Sequence, residues 1–371
     1  MAPEGSGSEA ATGQAPFHPA ARALPRPELL YRQALAGYGT DANGLVCGYR
    51  FMPGQPGVPL GSEEALPWLQ RPAGEAGEGF VWLHFNLSHA KALPWLRAHA
   101  GLPESWFEAL HALGSRSTRI ERDGHNLLAV LNDVTFDFSF DPNDVATLWV
   151  HLGPRLVVSA RRQPLRAVDR LRADVNRGEP VASTVALLEQ LLGDQADELQ
   201  RIHRAAADRV DEIEDELLAH RGPRHAGELA RLRRLTVRLQ RLLAPEPTAL
   251  LRLLSAPPRW MSAEERELLR HAGEDFAVVL RDVLALQERI KLLQDETATH
   301  VAEQNNRSLF TLTMVTVLAL PINLAAGLMG MNVGGIPLAG HGHGFWIMVA
   351  LITAFTAVLA LMVVRRLRRA R

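Results

Sequence analysis

The stretch SLFTLTMVTVLALPINLAAGLMGMNV, Ser308–Val333, opens a run of 57 residues, Ser308 to Val364, without one Asp, Glu, Lys or Arg. In a chain of 371 residues of which 22% are charged, such a gap decides the reading of everything around it. Leu309–Met331 supplies 23 residues and Phe345–Val364 another 20. Either is long enough to cross a hydrocarbon core of ~30 Å at ~1.5 Å per residue. The segment between them, VGGIPLAGHGHG (Val333–Gly344), is uncharged and rich in glycine. The expectation is a first transmembrane helix over 308–332, an outer loop over 333–344 and a second transmembrane helix over 345–364. A buried helical hairpin of a soluble protein is the competing reading. It leaves the flanking charges unexplained: Arg307 before the first span, and Arg365, Arg366, Arg368, Arg369 and Arg371 in a basic tail over 365–371. The positive-inside rule places both ends in the cytoplasm and the loop outside.

Upstream of the gap, Ser262-Ala263-Glu264-Glu265 has the form of a capping box that opens a helix. Leu269, Ala272, Phe276, Val279, Val283, Leu286, Ile290 and Leu293 then alternate steps of three and four, a heptad seam that calls for a partner helix. No Gly-Pro break follows. A helix continuous from Ala263 to Met331 would reach roughly 100 Å, with its part over 262–307 standing as a cytoplasmic stalk. Pro321 would weaken one turn, which neighbouring helices tolerate.

Further upstream, residues 28–261 read as an α/β domain with long helices. GLVCGYRFM (Gly44–Met52), FVWLHFNL (Phe80–Leu87), NLLAVLNDVTF (Asn126–Phe136), ATLWVHL (Ala146–Leu152) and RLVVSARR (Arg155–Arg162) are rich in β-branched and aromatic residues and are bounded by Gly, Pro or Asp. They predict a sheet of at least five strands, with a hairpin turn at Gly153-Pro154. Helices are expected over Lys91–Ala100, Pro103–Leu113, Pro164–Asn176, Ser183–His220, His225–Leu243 and Thr248–Leu254. Residues 1–27, mostly Gly, Ala, Ser and Pro, are expected to be disordered, and no signal peptide is visible in them.

The averages conceal this division. Hydrophobic residues make up 47%, the mean hydropathy is −0.04 and the formal net charge is −1. These values exclude a chain made mostly of membrane helices, a disordered chain and a basic nucleic-acid binder. The single cysteine, Cys47, excludes a disulfide framework and a Cys-based zinc cluster, and reads as a small core residue. Asp211, Glu212, Glu214, Asp215 and Glu216 form an acidic run that reads as a solvated helix face before it reads as a cation attractor. His203 and His271 are too scattered to be ligands. No catalytic set, phosphate loop or nucleic-acid motif stands out, so no enzyme and no resident cofactor is expected.

Two helices per chain cannot enclose a pore, but they can anchor a domain or line a pore in an oligomer. At helical spacing the first span carries Asn305, Leu309, Leu312, Thr316, Leu320, Asn323 and Gly327 on one stripe, with Asn332 near its end. Amides in hydrocarbon cost several kcal/mol, roughly, unless paired or wet. Around a symmetric axis the stripe would form rings of amide and hydroxyl oxygens separated by leucine constrictions, suited to a cation that keeps part of its water. Helix–helix packing through Asn and Thr is the alternative. It leads to a membrane-anchored oligomeric scaffold or sensor without transport.

PINLAAGLMGMNV, Pro321–Val333, resembles the signature of the CorA-type divalent metal ion transporters. In that family a proline is followed six residues later by glycine, and then by Gly-Met-Asn at the end of the penultimate span. Pro321, Gly327, Gly330, Met331 and Asn332 occupy those places. The resemblance extends over the organisation from about residue 40 to the end. It implies a homopentamer, with a cytoplasmic α/β funnel, a long stalk helix and two C-terminal transmembrane helices, the first lining the pore. Gly330, Met331 and Asn332 would form the outer selectivity filter, with Asn323, Leu320, Thr316, Leu312 and Leu309 lining the pore behind it. The position of Asn323 is often threonine in that family. Magnesium-transporting members usually continue with an aromatic residue and an acidic Met-Pro-Glu-Leu type loop. Here Val333-Gly334-Gly335-Ile336-Pro337 follows, which looks like the ZntB-like zinc branch.

Zn2+ in the bacterial inner membrane is therefore the expected cargo, with Mg2+ or Co2+ the alternative. His341 and His343 would stand at the outer mouth, where imidazole suits zinc, although a flexible Gly-rich loop that happens to contain histidine is the plainer reading. The zinc branch has been linked to proton-coupled movement. The spans contain no carboxylate, so any coupling would use those imidazoles, the funnel or the permeating species.

Overall fold

The computed structural model describes residues 39–71, 79–111, 118–135, 144–219, 225–331 and 341–369. The glycine-rich N-terminus lies outside them. So do Asn332, most of the outer loop, Phe136 and the junction after the first long helix.

Seven strands form one sheet: β1 (Leu45–Phe51), β2 (Val58–Pro59), β3 (Phe80–Asn86), β4 (Arg119–Asp123), β5 (Asn126–Val134), β6 (Val145–Leu152) and β7 (Leu156–Arg161). Their order is β2-β1-β3-β7-β6-β5-β4. Every pair is antiparallel except β3 and β7, which run parallel with Trp82 opposite Val157 and His84 opposite Ser159. All five expected strands are present. The sheet adds β2, only two residues long, and β4, whose sequence RIERD gives no apolar run. The hairpin at Gly153-Pro154 closes with the Gly153 N–H donating to the Leu156 carbonyl at 2.9 Å. Gly79 has φ +143°, and a Cβ there would come within 2.5 Å of the Phe51 carbonyl oxygen, so only glycine lets β3 start this close to β1.

Both faces of the sheet are covered. On one, Val81, Leu83, Phe85, Val130 and Trp149 share a core with α1 (Ser62–Leu69), α2 (Ala92–His99) and α3 (Glu104–His111), anchored by Trp95 and Trp106. On the other, Tyr49, Phe51, Trp82, Leu131 and Val150 belong to a larger core reaching through α4 (Arg166–Asn176), α5 (Thr184–Leu218), α6 (Ala226–Leu243), α7 (Pro245–Ser255) and α8 (Ala263–Met329). Tyr49 stacks on Trp82 at 5.7 Å and Phe51 on Phe80 at 4.6 Å. Helix α1 is not foreshadowed in the sequence, where Pro67 interrupts it. Helix α7 starts at Pro245, three residues before the expected Thr248, because proline is tolerated in a first helical turn.

Helix α8 has 67 residues. Ser262 Oγ accepts from the Glu265 N–H at 3.0 Å and Glu265 Oε2 accepts from the Ser262 N–H at 2.7 Å, completing the capping box. All eight seam residues are buried. Their partners lie in the same chain: α8 packs against α5, α6 and α7. Arg289 of α8 pairs with Asp211 and Glu214 of α5. Thus two members of the acidic run hold the stalk to its neighbour.

Helix α8 stops at Met329, short of the expected 331–332. Gly330 is its C-cap, with its N–H donating to the Ala326 carbonyl at 3.0 Å, and glycine is a poor helix former. Helix α9 spans Gly344–Arg369. It continues beyond the expected 364 because arginine is a good helix former and no glycine or proline intervenes.

Candidate functional site: the polar face of the first membrane helix

After Thr297 α8 leaves the body, and its apolar part beyond Ser308 packs against α9. Met314, Leu318, Ala319, Pro321, Ala325 and Met329 are its half-buried residues, and all but Ala319 recur at helical spacing, marking the face covered by α9. Ile322 adds to this contact, opposite Val349, Ile352, Thr353, Thr356, Ala357 and Ala360, which line an apolar groove between the two helices. At ~100° per residue the stripe of Leu309, Leu312, Thr316, Leu320, Asn323 and Gly327 points roughly 180° away from that face. It is bare: Leu309 is 60% exposed, Leu312 64% and Leu320 65%, and Thr316 and Asn323 are exposed as well. So α9 covers one side of α8 and leaves the side that carries the amide and the hydroxyl uncovered.

The local chemistry of the stripe is mild. Thr316 Oγ1 donates to the Leu312 carbonyl at 3.0 Å, so its proton is used within the helix and its oxygen lone pairs face outward. Such a group can accept from the water shell of a cation without displacing it. No carboxylate is present between Ser308 and Val364, so this face is uncharged. Gly330 ends the helix, and Met331 follows in a bend, 51% exposed. At the start of α9, His341 and His343 are exposed; the His341 carbonyl accepts from the Gly344 N–H and that of His343 from the Ile347 N–H. The structure therefore aligns Leu309, Leu312, Thr316, Leu320 and Asn323 on one open face and sets Gly330 and Met331 at its end. Asn332 is outside the described residues.

Helix α8 meets two different environments in sequence, a packed body and then an apolar span paired with a second span. Sequence comparison places that arrangement. The description "CorA-like Mg2+ transporter protein" fits residues 77–369. The chain belongs to the CorA-like family of transporters. It is a divalent cation transporter of the CorA/ZntB kind, and the family is one of transporters, not enzymes. It is similar to the divalent cation transporter CmaX of Pseudomonas aeruginosa, 29% identical over 78% of this chain and 88% of that one. It is also similar to the zinc transport protein ZntB of Klebsiella pneumoniae, 30% identical over 71% of this chain and 80% of that one. Among solved structures, full-length CmaX matches with a TM-score of 0.72 at 28% identity, covering 89% of this chain and 99% of that chain. The CorA magnesium transporter of Methanocaldococcus jannaschii matches in fold, with a TM-score of 0.69 at 20% identity over 85% of this chain and 97% of that chain. The architecture expected from the sequence, an α/β body, a long helix and two C-terminal apolar helices, is that of this CorA-like family.

Away from the membrane the described residues contain no group of three or more His, Cys, Asp or Glu suited to a metal ion. His271 bridges Glu267 and Glu274 on the surface of α8, a local helical contact. Burial pushes the Cys47 thiol up to about 12, so it stays a neutral thiol packed against the core. The sequence reading missed a set of buried polar groups under the sheet. His84, 1% exposed, lies between Ser159 Oγ at 2.8 Å and Arg161 Nε at 3.1 Å. Because Arg161 Nε–H can only donate, His84 Nε2 is the acceptor and Nδ1 carries the proton. Burial, with the positive charges of Arg161 and Arg172, holds its pKa well below the ordinary histidine value. Nothing in FVWLHFNL sets this histidine apart from a surface one, since its partners come from a strand some 75 residues away.

Proposed function

We propose that five copies of this chain form a divalent cation channel-transporter of the bacterial inner membrane, with zinc as the principal cargo. Five α8 helices line the pore through Leu309, Leu312, Thr316, Leu320 and Asn323. Gly330, Met331 and Asn332 form the outer filter, His341 and His343 stand at the outer mouth, and both termini are cytoplasmic. The observation that carries this reading is the bare polar face of α8 opposite its α9-covered face. In a bilayer an unpaired amide such as Asn323 costs several kcal/mol, roughly, unless it meets water or a polar partner. A closed ring of α8 helices around a wet axis supplies that water and leaves α9 toward the lipid.

Zinc is favoured over magnesium by Gly334-Gly335-Ile336-Pro337, with no acid after the filter, and by relatives named as zinc transport proteins. A neutral lining selects through many weak contacts and favours throughput. The test uses the full-length protein in liposomes, comparing Zn2+ and Mg2+ uptake with and without a pH gradient. Faster Zn2+ uptake that Asn332→Ala abolishes or makes unselective, in a protein that still assembles as a pentamer, is the expected result. Equal Zn2+ uptake by Asn332→Ala and the parent would remove the filter assignment. Faster Mg2+ uptake would move the chain to the magnesium branch.

A further inference from the structure

Glu246 lies in the first turn of α7 and is fully buried. Its Oε1 accepts from Thr118 Oγ1 at 2.7 Å, just before β4, and from Gln195 Nε2 of α5 at 3.4 Å. Its Oε2 is buried with no hydrogen-bond partner among the described residues. Gln195 Nε2 also donates to the Asn132 carbonyl on β5 at 2.8 Å, so one amide ties α7, α5 and the sheet together. The next residue on β5 is Asp133, 3% exposed, whose oxygens accept from the Val134 N–H at 2.7 Å and the Ala167 N–H at 3.0 Å. Helix α7 packs on β4 and on α8, meeting α8 at Gly273, where an added Cβ would lie 3.6 Å from Leu250. The junction therefore joins the sheet to the helix that enters the membrane.

We propose that Glu246 is a proton-operated latch, closed while its carboxyl is protonated and released when the carboxyl ionises, so that cytoplasmic pH sets how firmly α7 and the stalk α8 are held to the sheet. Ionisation would place charge on buried Oε2, which has no donor among the described residues. It would also set that charge beside Asp133, whose two backbone N–H donors make it the better holder of a negative charge. The released proton goes to bulk water and no other bond changes. The charged group acting on Glu246 comes from β5 and is Asp133. From β4 it meets Thr118 and from α5 Gln195, both neutral; α6 and α8, which also pack on α7, bring no charge that its ionisation feels. Asp133 in turn feels Glu198 and Arg166, and Asp194 feels Asp133. Burial is the main reason that Glu246 is pushed up to about 8 and Asp133 to about 7, within reach of cytoplasmic pH.

The test follows amide hydrogen exchange of peptides covering 118–123 and 245–255 in the full-length protein in detergent between pH 6.5 and 9.5, corrected for intrinsic base catalysis. In the parent, protection of both segments is expected to fall by up to about tenfold per pH unit as pH rises from 6.5 to about 8, and to level off above it, where the closed state is ionised as well. Glu246→Gln, neutral at every pH, should show no such fall. Thr118→Val, which removes a donor that favours the ionised form, should keep the fall and move the pH at which it levels off upward. A flat parent profile between pH 6.5 and 8, an unchanged fall in Glu246→Gln, or an unmoved levelling point in Thr118→Val would overturn the latch. None of these readouts involves cation flux, so they stand apart from the assignment of zinc.

Discussion

Helix α8 is one covalent helix in two solvents, and its halves follow opposite rules. Below Arg307 it is amphipathic, with a buried seam from Leu269 to Thr297 and charged residues on its other faces. Above Arg307 it is apolar on every face, most of its leucines are bare, and the exceptional residues are polar, with Thr316 and Asn323 on one stripe. In water the informative residues are the apolar ones, because burying them stabilises the fold. In lipid an apolar residue says little, and a lone amide or hydroxyl marks where water must come.

The contrast can be broken most sharply by truncating one apolar side chain to alanine in each half. Phe276→Ala empties a fully buried site on the seam and should destabilise the body by about 3–5 kcal/mol, read as a lowered thermal midpoint of the full-length protein. Leu320→Ala, at a position 65% exposed in the protomer, should leave that midpoint in place and change cation flux instead. Equal loss of stability from both would show that the upper half is packed like the lower.

A smaller effect is expected at Glu198 of α5, 1% exposed in its side chain and bonded to Arg166 at 2.6 Å, Arg170 at 2.8 Å and Arg201. Burial alone would raise its pKa. The hydrogen bond from Arg201 and the charges of Arg166, Arg201 and Arg170 together outweigh burial, and the net shift is downward. A carboxyl depressed in the folded state adds stability above its unfolded pKa, and loses that contribution as pH falls through the folded value. Glu198→Gln should thus cost about 2 kcal/mol near neutral pH, and the gap to the parent should close in acid, measured by chemical denaturation at pH 7 and below pH 4.

Below that stands Ser262→Ala, which removes the hydroxyl that opens α8 and should cost about 1 kcal/mol, measurable in the same denaturation series. The smallest change in stability belongs to Thr316→Val. Its hydroxyl is bonded within its own helix, so stability should shift by less than about 0.5 kcal/mol while Zn2+ flux responds. An unaltered flux would take Thr316 off the pore wall.

Much of this architecture was legible because it rests on local rules. The capping box at Ser262, the three-four spacing of the seam and the absence of charge over two spans each follow from neighbours a few residues apart. The five apolar strands were legible for the same reason. Strand β4 was not, since it lies at a sheet edge and four of its five residues are charged. Helix α1 was hidden by Pro67. The stripe of the membrane helix could be read because Asn and Thr are conspicuous among leucines. The buried polar groups could not: Thr118 and Glu246 are 128 residues apart, Gln195 and Glu246 are 51 apart, and each looks like surface polarity until the fold brings it to its partner.

The unbroken length of α8 has a mechanical consequence. A helix of 67 residues is about 100 Å long, and no glycine or proline hinge interrupts it between Gly273 and Pro321. It behaves as a lever clamped in the body as far as Thr297, with a free arm of about 48 Å beyond it. A tilt of about 6° at the clamp would carry the far end through about 5 Å, given that arm. Small changes in how the body grips this rod are thereby magnified at its membrane end.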